Sequence, residues 1–264
     1  MSLTKIPILV TYFQYHSGPL SRDEAFLVAD TMMCSENLTT NELLAQIGSG
    51  DPLRGAQRVT ATMQTLGFGG TFILRPYTVL PDEPVVEVGT IRTGADQTRA
   101  RPDPTNQIVP AELGWLLASV YQCAQGQGGL LLERFPTAFT PQECRQILTA
   151  MDANTIGVFL EAGVPGTARV MHKHGWIGDT HGDAGIVFGP ESAYVFVAVL
   201  YEEDWLEFDD SAPVIGELSR LAWNALNPSA PVEMISEGIV PAECDPRSDP
   251  VMALLLAPSL PALP

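Results

Sequence analysis

Three short groups of residues carry side chains suited to acyl transfer, and the first lies at the start of the chain. Ser2 and Lys5 are three residues apart, so a helix places the lysine amine one turn from the serine hydroxyl, on the same face. A neutral amine there could accept the serine proton and turn the hydroxyl into a nucleophile. An S-x-x-K pattern alone occurs by chance in many chains, so it indicates a function only in combination with the other two groups.

The second group is Ser35-Glu36-Asn37, between two predicted helices. A turn at this point can aim the Ser35 and Asn37 side chains into a cleft, where a serine could pass a proton to a leaving group. The same triplet is also typical of an ordinary helix N-cap.

The third group is His172-Lys173-His174-Gly175-Trp176, predicted at the end of a strand over residues 168–172. A lysine beside a glycine on an edge strand leaves room for a carboxylate-bearing ligand along that strand. Lysine on an exposed edge also protects a sheet from unwanted strand pairing.

In this order the three groups resemble the S-x-x-K, S-D-N and K-T-G motifs of penicillin-recognising serine enzymes, especially class A β-lactamases. The resemblance covers about residues 2–226, because 2–18, 32–48 and 172–188 look like the family's nucleophile helix, S-D-N segment and K-T-G hairpin. It implies an acyl-enzyme formed with a β-lactam or a related amide or ester. It also implies an extracytoplasmic bacterial protein with a role in resistance to β-lactam antibiotics, although no export signal is visible.

Residue roles follow from the resemblance. It implies four catalytic residues: Ser2 as nucleophile, Lys5 as its proton acceptor, Ser35 as proton relay and Lys173 as carboxylate anchor. It implies four substrate contacts: Asn37, His174, Gly175 and Ile177. The backbone N–H groups of Ser2 and Ile177 would form the oxyanion hole.

The chain departs from the family pattern at several positions. Glu36 stands where the family has Asp, and His174 stands where it has a hydroxyl side chain. An imidazole would narrow the cleft and make ligand binding depend on pH. No E-x-x-L-N motif, which supplies the deacylation base in class A enzymes, occurs between residues 69 and 109. Glu87 and Asp96 are the nearest candidate bases, and deacylation is expected to be slow.

Two alternatives remain open at this point. A catalytically degenerate scaffold could bind cell-wall peptide or a protein partner, and a DD-peptidase or esterase would share the nucleophile while differing in substrate. The expected ligand is a small β-lactam or a peptidoglycan-like molecule. No metal or other cofactor is expected.

The predicted fold class is α+β, with an antiparallel sheet flanked by helices and an all-helical subregion. Helices are predicted over 2–18, 21–33, 39–48, 51–66, 110–124, 141–154 and 213–226, and strands over 71–74, 85–88, 168–172, 183–188 and 194–201. The resemblance implies that N-terminal strands of the family are missing. The predicted domain covers residues 1–227, followed by a Pro-rich irregular extension over 228–264.

Composition excludes several functions. The 264 residues carry 14 Lys and Arg against 31 Asp and Glu, a net charge of −17 that disfavours nucleic acid as a partner. No apolar run reaches the roughly 18 residues of a membrane span.

The four scattered cysteines are interpreted as buried free thiols. His172 is interpreted as a buried histidine and Asp183 as a capping aspartate.

Overall fold

The computed structural model describes residues 1–80, 87–94, 105–261 and 263. Its helices and strands, in chain order, are α1 (Lys5–Tyr15), α2 (Arg22–Ala29), α3 (Asn37–Ile47), α4 (Pro52–Thr65), β1 (Phe72–Ile73), β2 (Asn106–Gln107), α5 (Pro110–Ala124), α6 (Leu130–Arg134), α7 (Pro141–Asp152), β3 (Arg169–Ile177), β4 (Thr180–Phe188), β5 (Ala193–Tyr201), α8 (Phe208–Leu226) and α9 (Val251–Leu255). Short 3₁₀ turns lie at Ser2–Thr4, Glu161–Gly163 and Pro246–Ser248, and a π turn lies at Asp30–Cys34. This arrangement confirms the predicted α+β class.

Within the described residues, β3, β4 and β5 form an antiparallel sheet in that order, so β3 is an edge strand as predicted. The prediction for its end was wrong. β3 continues to Ile177, which places Lys173 and Gly175 inside the strand rather than after it. The strand is prolonged because its second half pairs fully with β4, with Gly175 opposite Gly182 and Ile177 opposite Thr180.

The helix α1 runs through the middle of the helical subregion. Its side chains are buried on all sides, including Ile6, Leu9 and Phe13, and it packs against α3, α4 and α7. A helix that is apolar all round belongs in a core. Its N-terminal turn, Ser2–Thr4, reaches β3 and β4, so this helix carries the start of the chain to the sheet.

The prediction of free thiols was wrong, because all four cysteines are paired. Cys34 is bonded to Cys244, and Cys123 is bonded to Cys144 between α5 and α7. Sequence spacing could not reveal these bonds, since the first joins residues 210 positions apart.

Two other elements differ from their predicted bounds. The helix predicted from Pro213 begins five residues earlier at Phe208, with Asp209 and Asp210 in its first turn, where acidic side chains favour a helix N-terminus. Of the strand predicted over 85–88, residues 85 and 86 lie outside the described residues, and Glu87 and Val88 are not in a strand.

Residues 228–264 are mostly irregular but not detached. Val251 and Leu255 of α9 are buried in the main core, beside α7 and α2. The division at residue 227 stays a prediction. In the part of the chain that the structure describes, no helix has the length and apolar character to span a membrane.

Candidate active site

The turn Ser2–Thr4 leads directly into α1 and brings Ser2 against the edge strand. The backbone N–H of Lys5 points back to the carbonyl groups of Leu3 and Ser2, so Lys5 follows Ser2 by one turn, as its spacing predicts. The backbone nitrogen of Ser2 lies 2.8 Å from the point where a Cβ on Gly175 would stand. Only glycine permits this approach of the two backbones.

Lys5 is the centre of the polar contacts at this site. Its side chain is fully buried, and Nζ donates hydrogen bonds to the backbone carbonyl of Ser35, to Ser35 Oγ at 3.3 Å and to Asn37 Oδ1 at 3.0 Å. Burial lowers the pKa of Lys5 to about 7, although the charges of Glu36 and Asp30 oppose the shift. The amine is therefore poised between its neutral and charged forms near neutral pH.

Ser35 follows the π turn and has a left-handed backbone, with φ 63° and ψ 29°. This conformation is uncommon for a residue other than glycine, and such residues concentrate at functional sites. It directs the Ser35 carbonyl and hydroxyl toward the same amine, and α3 begins two residues later at Asn37.

Lys173 is a second fully buried lysine, and its Nζ lies 3.0 Å from the carbonyl oxygen of His174. Burial and then the charge of Lys5 hold the pKa of Lys173 well below its usual range, while Asp183 acts in the opposite direction. Two buried amines thus share one site. Such a site favours a ligand that carries a negative charge.

His174 does not line the same face of β3 as Lys173. Side chains alternate along a strand, and the His174 ring stacks on Trp176 with centroids 5.0 Å apart while its Nδ1 lies 3.0 Å from Asn154 Nδ2. Burial, followed by the charges of Lys173, His172 and Lys5, holds the pKa of His174 far below its ordinary value. The imidazole is neutral at physiological pH, so the expected pH-dependent ligand binding through His174 has no support here.

The open edge of β3 offers backbone groups at alternate residues. The His172 carbonyl accepts a hydrogen bond from Asn154 Nδ2, and the His174 carbonyl accepts one from Lys173 Nζ, so both carbonyls point away from β4. In an antiparallel strand the N–H and C=O of one residue point to the same side, with a period of two. Trp176 therefore presents its N–H at the open edge, whereas the N–H of Ile177 turns toward Thr180 on β4.

Tyr77 is a site residue that sequence reasoning missed. Its ring centroid lies 5.0 Å from Lys5 Nζ, and its hydroxyl is hydrogen-bonded to Thr4 Oγ1. Asn41 fixes the Tyr77 backbone, accepting from its N–H and donating to its carbonyl, each at 2.8 Å. Tyr77 and its neighbour Thr78, whose carbonyl accepts from Asn37 Nδ2 at 3.5 Å, cover the Lys5 side of the site.

The structure describes only one of the two candidate deacylation bases. Glu87 is exposed, and Asp96 lies outside the described residues. Among the described residues of this segment, Tyr77 brings its phenol ring to Lys5.

His172 and Asp183 form a buried pair on the opposite face of the sheet. Both are fully buried, and His172 Nδ1 lies 2.9 Å from Asp183 Oδ1. Burial disfavours the charged imidazole, but the Asp183 carboxylate and then Glu161 raise the pKa of His172 to about 9. Asp183 also accepts a hydrogen bond at 3.2 Å from the N–H of Leu160, the residue that precedes the 3₁₀ turn Glu161–Gly163, which agrees with its interpretation as a capping aspartate.

The close approach at Gly175 gives a direct test of this geometry. In Gly175→Ala the new methyl group would lie 2.8 Å from Ser2 N and 3.0 Å from Leu3 N, so the backbone must shift. If Ser2 reacts with a β-lactam, as the resemblance implies, we expect that reaction to slow at least ~10-fold, since small displacements of reacting groups have large kinetic costs. The measurement is the rate of covalent labelling.

Gly114→Ala is the matched control. A Cβ at this position in α5 meets nothing closer than 3.8 Å. Labelling should be unchanged, and alanine should stabilise the helix by about 1 kcal/mol. Equal labelling rates for the two variants would contradict the close packing of Ser2 on β3.

Comparison with known proteins identifies the family. A model of the "Beta-lactamase enzyme family" matches residues 25–226, about three quarters of the chain. The chain belongs to this family. The matched range includes Ser35 and Lys173, while Ser2 and Lys5 precede it. No curated protein sequence matches the chain.

Several solved structures share the fold. PBP-A is 22% identical with a TM-score of 0.59, over 85% of this chain and 79% of that protein. A mutant of PBP-A, in an acyl-enzyme complex with penicillin G, is 21% identical with a TM-score of 0.59, over 85% and 80%. A variant of the class A β-lactamase of the last common ancestor of Gram-negative bacteria is 22% identical with a TM-score of 0.59, over 85% and 82%. The recognition of a β-lactamase-like fold from the three motifs is therefore confirmed.

Proposed function

We propose that this protein is a serine acyl-transfer enzyme that forms an acyl-enzyme on Ser2 with a β-lactam or a related amide or ester. The observation that carries the proposal is the environment of Lys5. This amine is buried, has a pKa of about 7, and contacts Ser35 and Asn37 one turn after Ser2. A buried amine that is partly neutral near pH 7 is suited to serve as a general base.

In the proposed reaction, neutral Lys5 takes the Ser2 hydroxyl proton while Ser2 Oγ attacks the substrate carbonyl carbon. The carbonyl oxygen becomes an oxyanion, which the N–H groups of Ser2 and Trp176 stabilise. We assign Trp176 rather than Ile177 because the alternation of β3 directs the Trp176 N–H to the open edge. The C–N or C–O bond then breaks, and the proton passes from Lys5 through Ser35 Oγ to the leaving group.

We propose that Lys173 anchors the substrate carboxylate. Burial and then the charge of Lys5 disfavour the protonated form of Lys173. A bound carboxylate supplies the opposite charge and raises the pKa of Lys173, so binding and protonation support each other. This local positive charge contrasts with the net charge of −17 for the whole chain.

Deacylation is proposed to be slow. Hydrolysis of the acyl-enzyme needs a base that activates a water molecule. At this place Tyr77 covers Lys5, and a phenol does not act as a base at neutral pH. The acyl-enzyme should therefore persist, as expected of a penicillin-binding protein or DD-peptidase more than of a β-lactamase.

We also propose an extracytoplasmic location, which two disulfides support because such bonds persist in oxidising compartments.

Fluorescent penicillin tests the proposal. The chain should acquire one covalent adduct that survives denaturation, and an excess of unlabelled penicillin should prevent it. Reversible binding without an adduct would favour the alternative of a non-catalytic scaffold. Absence of an adduct, with or without reversible binding, would contradict the proposed function.

A further inference from the structure

The disulfide between Cys34 and Cys244 lies directly beside Ser35. Cys34 is the last residue of the π turn, and the next residue has the left-handed backbone. The two cysteine Cα atoms are 5.5 Å apart, so the bond ties this turn to a segment 210 residues later in the chain.

The backbone of Ser35 needs support from its surroundings. A left-handed conformation is unfavourable for serine, and it persists only where neighbouring contacts fix it. Lys5 Nζ binds the Ser35 carbonyl from one side, and the Ser35 and Glu36 N–H groups point to the Asp30 carbonyl. The disulfide fixes the residue immediately before it.

A bond of this kind can hold Ser35 only if its other end is fixed. After Cys244, Asp245 Oδ1 accepts from the Arg247 N–H at 3.1 Å, and Arg247 stacks 3.9 Å over the Phe26 ring of α2. Further along, Leu255 is buried and its carbonyl accepts from Gln146 Nε2 of α7 at 2.8 Å. The segment is thus docked on two helices by contacts that do not depend on the disulfide.

The two disulfides differ in access to solvent. Cys244 is exposed and Cys34 half-buried, whereas Cys123 and Cys144 are both fully buried. A small thiol in solution can therefore attack the sulfur of Cys244 and leave the Cys123–Cys144 bond intact.

We propose that the Cys34–Cys244 disulfide is a clamp that positions Ser35 for proton transfer, so that acylation depends on the oxidised state of this bond. The inference rests on the proposed function. Reduction consumes two equivalents of a small thiol: the first forms a mixed disulfide at Cys244 and releases the Cys34 thiolate, which takes up a proton. The second releases the Cys244 thiol and forms the oxidised small-molecule disulfide. Oxidised glutathione reverses the exchange.

The test compares wild type with Cys244→Ser and Cys34→Ala/Cys244→Ala, and with Cys123→Ala/Cys144→Ala as the matched control. Stopped-flow labelling with a fluorescent penicillin separates the acylation rate constant from the non-covalent dissociation constant. Loss of the clamp should lower the rate constant ~10-fold, because Ser35 acts in proton transfer, and leave the dissociation constant within about two-fold, because Lys173 binds the ligand. The control should melt at a lower temperature with both constants unchanged.

Mild reduction provides a second arm that involves no mutation. Brief treatment of wild type with dithiothreitol should reproduce the effect of Cys244→Ser, and oxidised glutathione should restore the original rate. Hydrogen exchange of the Ser35 and Glu36 amides, followed by mass spectrometry, should become ~10-fold faster when the bond is lost.

The outcomes separate the two proposals. Failure of oxidised wild type to form an adduct contradicts the proposed function. Unchanged exchange at Ser35 and Glu36 contradicts the clamp, whether or not the chain labels. An equal loss of rate in the Cys123→Ala/Cys144→Ala control would also overturn it, because the effect would then reflect general stability.

Discussion

Acylation by the Lys5→Met variant is expected to be about 10³-fold slower than by wild type, within the range typical of a lost general base. Methionine keeps most of the lysine volume in this fully buried position but has no amine to accept the Ser2 proton. The variant should remain folded, because the burial cost of the amine is also removed. The measurement is the labelling rate with fluorescent penicillin, with melting temperature as the check on folding.

The pH dependence of wild type gives the same claim a second readout. Because the pKa of Lys5 is about 7, the amine is protonated and inactive as a base below that pH. Labelling should therefore increase as pH rises through about 7, and this rise should be absent in Lys5→Met. A wild-type rate that stays constant from pH 5.5 to 8.5 would contradict the role of Lys5 as the base.

Replacement of Tyr77 by glutamate is expected to convert slow release of the acyl group into turnover. The Tyr77 backbone is held by Asn41, and its ring lies 5.0 Å from Lys5 Nζ, so a shorter carboxylate at this position leaves room for a water molecule beside Lys5. A positioned general base typically increases a reaction rate about 10²- to 10⁴-fold, and we expect the rate of nitrocefin hydrolysis to rise ~10²-fold.

Tyr77→Gln is the control, since glutamine has the same shape as glutamate and cannot act as a base. It should acylate without a comparable gain in turnover. If wild type itself hydrolyses nitrocefin at the ~1 to 10³ per second ordinary for enzymes, another base is present. Glu87 and Asp96 would then be the first residues to replace.

Much of the fold was predictable because its signals are local. Ser21 and Glu24 form the capping box that marks the start of α2, and Pro110 and Pro141 stand at the first positions of α5 and α7. The end of β3 was not predictable, since Lys173, His174 and Gly175 have little intrinsic preference for a strand. Pairing with β4 decides their conformation.

The candidate site was likewise only partly predictable from the sequence. The resemblance to the family implied that Lys5 and Ser35 act in one site, whereas the hydrogen bond between Lys5 and Asn37 was not predicted. Tyr77 and Cys244 come to the site by tertiary packing, and neither belongs to a local motif. The choice of Trp176 over Ile177 depends on the hydrogen-bonding side of each residue, which only the strand register reveals.

The role of Ser2 as the nucleophile can be tested by locating the penicillin adduct with mass spectrometry of proteolytic fragments. We expect one acyl group per chain, on Ser2 in the fragment that contains Lys5, and no adduct in Ser2→Ala. An adduct on Ser35 or on any other residue, or undiminished labelling of Ser2→Ala, would contradict this role.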